Sequence, residues 1–156
     1  MSDLKAVCAM GVEGLIPHRQ PMVLIDRACG MQDGCFVAEV DIRSDSPLGG
    51  ADGVPAYVGI EYMAQTVAAY AGAEGLEAGG RVQVGMLLGT RDYACAVPVF
   101  GWGRRLRVLV RKVLHQPGGI SALDCRIADA SNGAELARAQ LTVVQVGDLG
   151  RLQEGH

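Results

Sequence analysis

Aromatic side chains are scarce in this chain: phenylalanine, tryptophan and tyrosine make up 4% of its 156 residues. That scarcity argues against the base-stacking platforms that single-strand binders use. No large excess of either charge is present; the formal net charge is −3, so nothing in the balance favours a nucleic-acid partner. The cysteines Cys8, Cys29, Cys35, Cys95 and Cys125 include no CxxC pair and no metal-ligand spacing with histidine. No metal site is expected from them, and dispersed, odd-numbered cysteines suit a reducing compartment, where they act as small apolar fillers. Neither of the pairs Gly49-Gly50 and Gly101/Gly103 makes a phosphate loop, since neither both follows a strand and opens a helix at the required spacing, and no dinucleotide fingerprint is present. No cofactor is expected. The first residues carry acids and no continuous apolar run of signal-peptide type, which makes the cytoplasm the expected location.

What is present is the composition of a soluble globular protein, 49% hydrophobic and 20% charged. The length fits a single domain, 1–156, with its core over about 15–146. The segment 54–73, VPAYVGIEYMAQTVAAYAGA, has Glu61 as its only charge. It is long enough to cross a bilayer. However, it is rich in Ala and Gly and carries Glu61 and Gln65 near its middle, which hydrocarbon penalises. A helix buried in its own protein, and no membrane span, is the expectation.

Period-2 alternation predicts strands at 36–43, 104–114, 123–127 and 137–143. Two less regular strands are expected at Met22–Arg27 and Val82–Cys95, and a polar, frayed end at Gly147–His156. The breaks Gln116-Pro117-Gly118-Gly119 and Ser131-Asn132-Gly133 are tight turns, and hairpin-length turns imply antiparallel pairing. One antiparallel sheet and one nearly all-apolar helix bury each other best when the sheet curls around the helix. The expected class is therefore α+β, a hotdog fold: an antiparallel sheet wrapped around one long central helix. Its long edges predict dimerisation into a continuous sheet.

Four ordered blocks resemble the 3-hydroxyacyl-[acyl carrier protein] dehydratases. They are LIPHRQPMVLIDR at 15–27, VPAYVGIEYMAQ at 54–65, GMLLG at 85–89 followed by Pro98-Val99 and 101–111, and the closing strand at 134–146. Together they cover nearly the whole chain, and the wording GIEYMAQ is most similar to a branch associated with aryl-polyene and related secondary-lipid assembly. The resemblance implies dehydration of 3-hydroxyacyl thioesters carried by an acyl carrier protein on its phosphopantetheine arm. Such an elimination needs a base for the α-proton, an acid for the departing hydroxyl and donors for the thioester oxygen.

Within that resemblance Glu61 aligns with the helix carboxylate. As the only charge in an apolar helix it is expected to be desolvated, which favours the neutral, proton-donating form; the plainer reading is a buried residue satisfied by Gln65 or backbone. The family's loop histidine is absent, since the corresponding stretch near Ser46-Pro47, SDSPLGGADG, contains none. His18 is the nearest substitute as base, or else a brace for the turn made by Pro17 and Pro21. Ala56 and Tyr57 stand where helix-start amides would hold the thioester oxygen, and Gln65 is grouped with them in substrate binding. A tunnel along the helix, lined by Ala64, Ala68 and Gly72, is expected. His115 reads as a strand-edge residue. The basic group Arg104, Arg105, Arg107, Arg111 and Lys112 reads mainly as a solvated face, with docking of an acidic carrier as the other reading. Two alternatives stay open: a non-catalytic hotdog subunit that pairs with an active dehydratase, as homo- or heterodimer, and an acyl thioesterase in which Glu61 activates water.

Overall fold

The computed structural model describes residues 2–80 and 85–145. Its elements run α1 (Lys5–Cys8), β1 (Arg27–Gln32), β2 (Cys35–Asp41), β3 (Gly53–Pro55), α2 (Gly59–Glu77), β4 (Gly85–Cys95), β5 (Val99–Gly101), β6 (Arg105–Gln116), β7 (Ile120–Asp129) and β8 (Glu135–Gln145). Six strands form one antiparallel sheet in the order β1-β2-β6-β7-β8-β4, and β3 pairs with β5 separately.

The alternating sequences produce this sheet because each inward set meets another across the ladder. Ala38 lies opposite Val108, Val108 opposite Ile127, and Ile127 opposite Ala137, and all four side chains are buried. Residues from α2 complete the core, with Tyr62, Met63, Ala69 and Ala73 buried against the same sheet. At about 25 cal/mol per Å² of apolar surface, this contact is the main source of stability. No described helix is long and apolar enough to cross a membrane.

Several boundaries differ from the sequence expectation. Residues Val54 and Pro55 form strand β3, a single 3-10 turn covers Ala56–Val58, and α2 then runs four residues beyond Ala73. The expected strand at Met22–Arg27 does not form; strand pairing begins only at Arg27. Its backbone is engaged elsewhere, since the Leu24 N–H and the Met22 carbonyl both bond to the side chain of Gln65. Residues 82–84 and 146–156, parts of the expected first long strand, closing strand and frayed end, lie outside the described residues. Gly72 does not line a tunnel. A Cβ built there would sit 1.9 Å from the carbonyl oxygen of Leu15, so the small residue lets the chain before β1 lie directly on α2.

Most of the basic group is held in ion pairs, as expected of a structural face. Arg105 meets Asp41, Arg104 meets Asp129, and Arg111 meets Asp124, while Arg107 donates to Gln32. Arg27 forks onto Glu39 and Asp41. Its hydrogen bonds, ahead of those from Arg105, hold the Asp41 carboxyl down at about 2. A carboxylate depressed on folding contributes stability that is present above its unfolded value of about 3.9 and is lost as pH falls through the folded value. Wild type is therefore expected to lose melting temperature between about pH 4 and pH 2, and Asp41→Asn to flatten that part of the profile. Thermal melts across this range decide it; equal slopes for both proteins would refute the assignment.

Two further features frame the site. Among the described residues strand β4 has a neighbour on one side only, and Met86, Leu87 and Leu88 along it are exposed. In the turn after β5, Trp102 donates its indole N–H to the carbonyl of Ala51 at 3.1 Å. Its ring packs so closely on Gly49 that a Cβ there would lie 2.6 Å from it.

Candidate active site

Gln65 organises the site. Its side chain is fully buried, where an amide needs several partners at once. The amide oxygen accepts from the Leu24 N–H at 2.8 Å, and the amide nitrogen donates to the Met22 carbonyl at 2.7 Å and toward Glu61 Oε1 at 3.4 Å. One side chain thus ties the segment after His18 to the helix face that carries Glu61. Replacing it by leucine keeps the bulk but strands the buried Leu24 N–H and the part-buried Met22 carbonyl, each costing up to about 1–3 kcal/mol. Gln65→Leu is expected to lower stability by about 2–5 kcal/mol on that basis, as chemical denaturation would show. A change below about 0.5 kcal/mol would mean water replaces those bonds.

His18 sits on a loop fixed from within: the Arg19 guanidinium donates to the carbonyls of Glu13, Ile16 and His18 at 3.2, 3.0 and 2.7 Å. The imidazole Nδ1 is buried and has no hydrogen-bond partner among the described residues. His18 and Glu61 line one cavity of about 260 Å³ between α2 and the sheet, together with Ala64, Ala68, Leu123 and Val143. Glu61 is half-buried and not sealed as expected, because it opens onto this space. A carboxyl and an imidazole on the wall of one mostly apolar cavity can give and take protons on a bound substrate.

Ala56 and Tyr57 are not brought to the cavity. The Ala56 N–H donates to the Pro98 carbonyl at 3.0 Å, so that donor is already taken, and Tyr57 is 64% exposed. The Ala56 carbonyl accepts from the hydroxyl of the half-buried Tyr93, whose phenol is pushed well up by desolvation. Tyr93 was not legible as a site residue. It packs where a Cβ on Gly59 would fall 2.4 Å from its oxygen, locking the entry to α2. His115 is a second residue the sequence did not reveal: it lines the same cavity as Glu61, with Nδ1 2.8 Å from Ser121 Oγ.

Comparison with known proteins now places this geometry. The family model ApeP-like, described as ApeP dehydratase, matches residues 10–154. The dehydratase heterocomplex ApeI:P from Xenorhabdus doucetiae superposes with a TM-score of 0.80 at 28% identity, covering 91% of this chain and 96% of that one. The Streptococcus mutans protein smu.793 bound to acetyl CoA gives a TM-score of 0.62 at 12% identity, with 83% of this chain and 94% of that one covered. A hypothetical thioesterase with coenzyme A from Streptococcus pneumoniae gives 0.58 at 16%, covering 76% and 84%. The last two likenesses establish the fold alone. No curated protein matches the chain in sequence. The match along nearly its whole length shows that the chain belongs to the ApeP-like dehydratase family, hotdog-fold hydro-lyases of polyene biosynthesis.

Proposed function

We propose that this protein removes water from 3-hydroxyacyl groups held as thioesters on the phosphopantetheine arm of an acyl carrier protein, in the cytoplasm, with Glu61 as acid and His18 as base. The observation that carries the reading is that Glu61 and His18 line one cavity. In the elimination the imidazole takes the α-proton, the carbon–carbon double bond forms, and the C3–O bond breaks. The hydroxyl leaves as water with the proton of Glu61, which Gln65 steadies from one turn away. Both groups act on charge that develops only in the transition state.

A second hotdog subunit belongs to this reading. The open apolar edge of β4 favours continuation of the sheet into a partner, and the similar Xenorhabdus doucetiae protein is a heterocomplex. With no histidine between residues 44 and 53, the thioester-binding amides, and a further base, would come from that partner. The purely non-catalytic form of this idea is the competing reading, and a thioesterase is the third. Mass spectrometry of a 3-hydroxyacyl carrier protein incubated with the chain, alone and with its co-purifying subunit, separates them. Loss of water from the acyl group is expected; release of free acid would make it a thioesterase. An unchanged acyl group in both mixtures would overturn catalysis.

A further inference from the structure

The cavity changes character along its length. Its α2 wall runs from Glu61 through Ala64, Ala68 and Ala71 to Glu74; these end residues are thirteen apart in sequence, about 20 Å along a helix. Between them the lining is small and apolar, with Leu123 and Val143 opposite. At the distal end Glu74 pairs with Lys112, whose ammonium lies 4.7 Å from the centre of the Tyr70 ring. Beside it is the His115–Ser121 pair.

A break in strand register builds this end. Along β6 the even-numbered residues Leu106, Val108 and Val110 face inward and are buried. Continued alternation would send Leu114 into the cavity and His115 outward. The register instead shifts between Lys112 and Leu114, so that Val113 is an extra residue and His115 falls opposite Ser121. One inserted residue reverses every later side chain. His115 consequently lines the cavity at its solvent-open end, where both it and Leu114 are exposed. The strand gives up burying a leucine to present an imidazole.

We propose that Lys112, Glu74, His115 and Ser121 form the distal stop of the acyl cavity and set the longest chain the enzyme accepts. The inference rests on the acyl-thioester reading above and names what that reading leaves open, the residues that select chain length. An alkyl end reaching this wall would displace water from an ion pair and an imidazole and return no hydrogen bond. Chains that end short of it meet only apolar surface and gain with each methylene.

The test is the affinity of the full-length protein for straight-chain acyl-pantetheine thioesters of increasing length that lack the 3-hydroxyl, followed by calorimetry. Wild type, the double variant Lys112→Met/Glu74→Leu, and His115→Leu are compared. Affinity for wild type is expected to rise with length and then stop rising. In both variants it continues to rise, leaving the longest chains about tenfold tighter, a typical worth of a methylene-sized change in a pocket, and the shortest unchanged. All three proteins showing one length dependence would overturn the stop, as would failure of any chain to bind. Dehydration assays on the matching 3-hydroxyacyl series run in parallel. Length-limited binding without water loss would sink the catalytic reading and leave the stop standing.

Discussion

Glu61→Gln is expected to slow water loss about a hundred- to ten-thousand-fold, the range that a positioned proton donor supplies. The amide has the size of the carboxyl and cannot deliver a proton to a leaving hydroxyl. Among the described residues the Glu61 carboxyl has one hydrogen bond, at 3.4 Å from Gln65 and the longest of that residue's set, so the bonds to Met22 and Leu24 should keep the helix and loop in place. The loss should therefore appear in kcat with little change in acyl binding, the pattern of an interaction made only in the transition state. His18→Ala should act in the same sense, since among the described residues its Nδ1 has no hydrogen bond to lose. Steady-state kinetics with a 3-hydroxyacyl carrier protein decide both. A Glu61→Gln protein with wild-type kcat would remove the carboxyl from the mechanism. Full activity in His18→Ala beside a dead Glu61→Gln would assign the base to the partner subunit.

Gly72→Ala is expected to be strongly destabilising. The added carbon would stand 1.9 Å from the carbonyl oxygen of Leu15, and both groups belong to backbones that cannot turn aside. Leu15 itself is fully buried, so the loop has no free direction in which to yield. Relief requires α2 and that loop to part by more than an ångström, at a cost of about 3 kcal/mol or more. For a chain of this size that corresponds to a melting temperature lower by roughly 6–12 °C. Because His18 lies three residues beyond Leu15, activity should fall even below the melting transition. A melting temperature within about 1 °C of wild type would show that the contact is slack.

The strands with strict alternation were legible because each buries one face, and burial fixes register wherever the period is two. Met22–Arg27 misled for the complementary reason. Met-Val-Leu-Ile is apolar at every position, and what excludes it from the sheet is Gln65, some forty residues away. Glu61 was readable as the lone charge of the apolar stretch 54–73, whereas Glu74 and Glu77 of the same helix lie beyond that stretch. The cavity's distal wall was not readable, since the alternation of RRLRVLVRKVL points Leu114 inward and nothing in those letters marks Val113 as an extra residue. Ala56 looked like an oxyanion donor because it opens the helix; only the fold shows Pro98 already accepting from its N–H.

The contact between Trp102 and the Gly49–Ala51 stretch has a practical consequence. The chain contains a single tryptophan, and it rests on the segment that replaces the family's histidine loop. Its intrinsic fluorescence is therefore a label already in place, free of background from any other indole. Emission that shifts to the red or becomes open to iodide quenching would report that segment lifting away, and a steady spectrum on addition of acyl carrier protein or partner would report that it stays down.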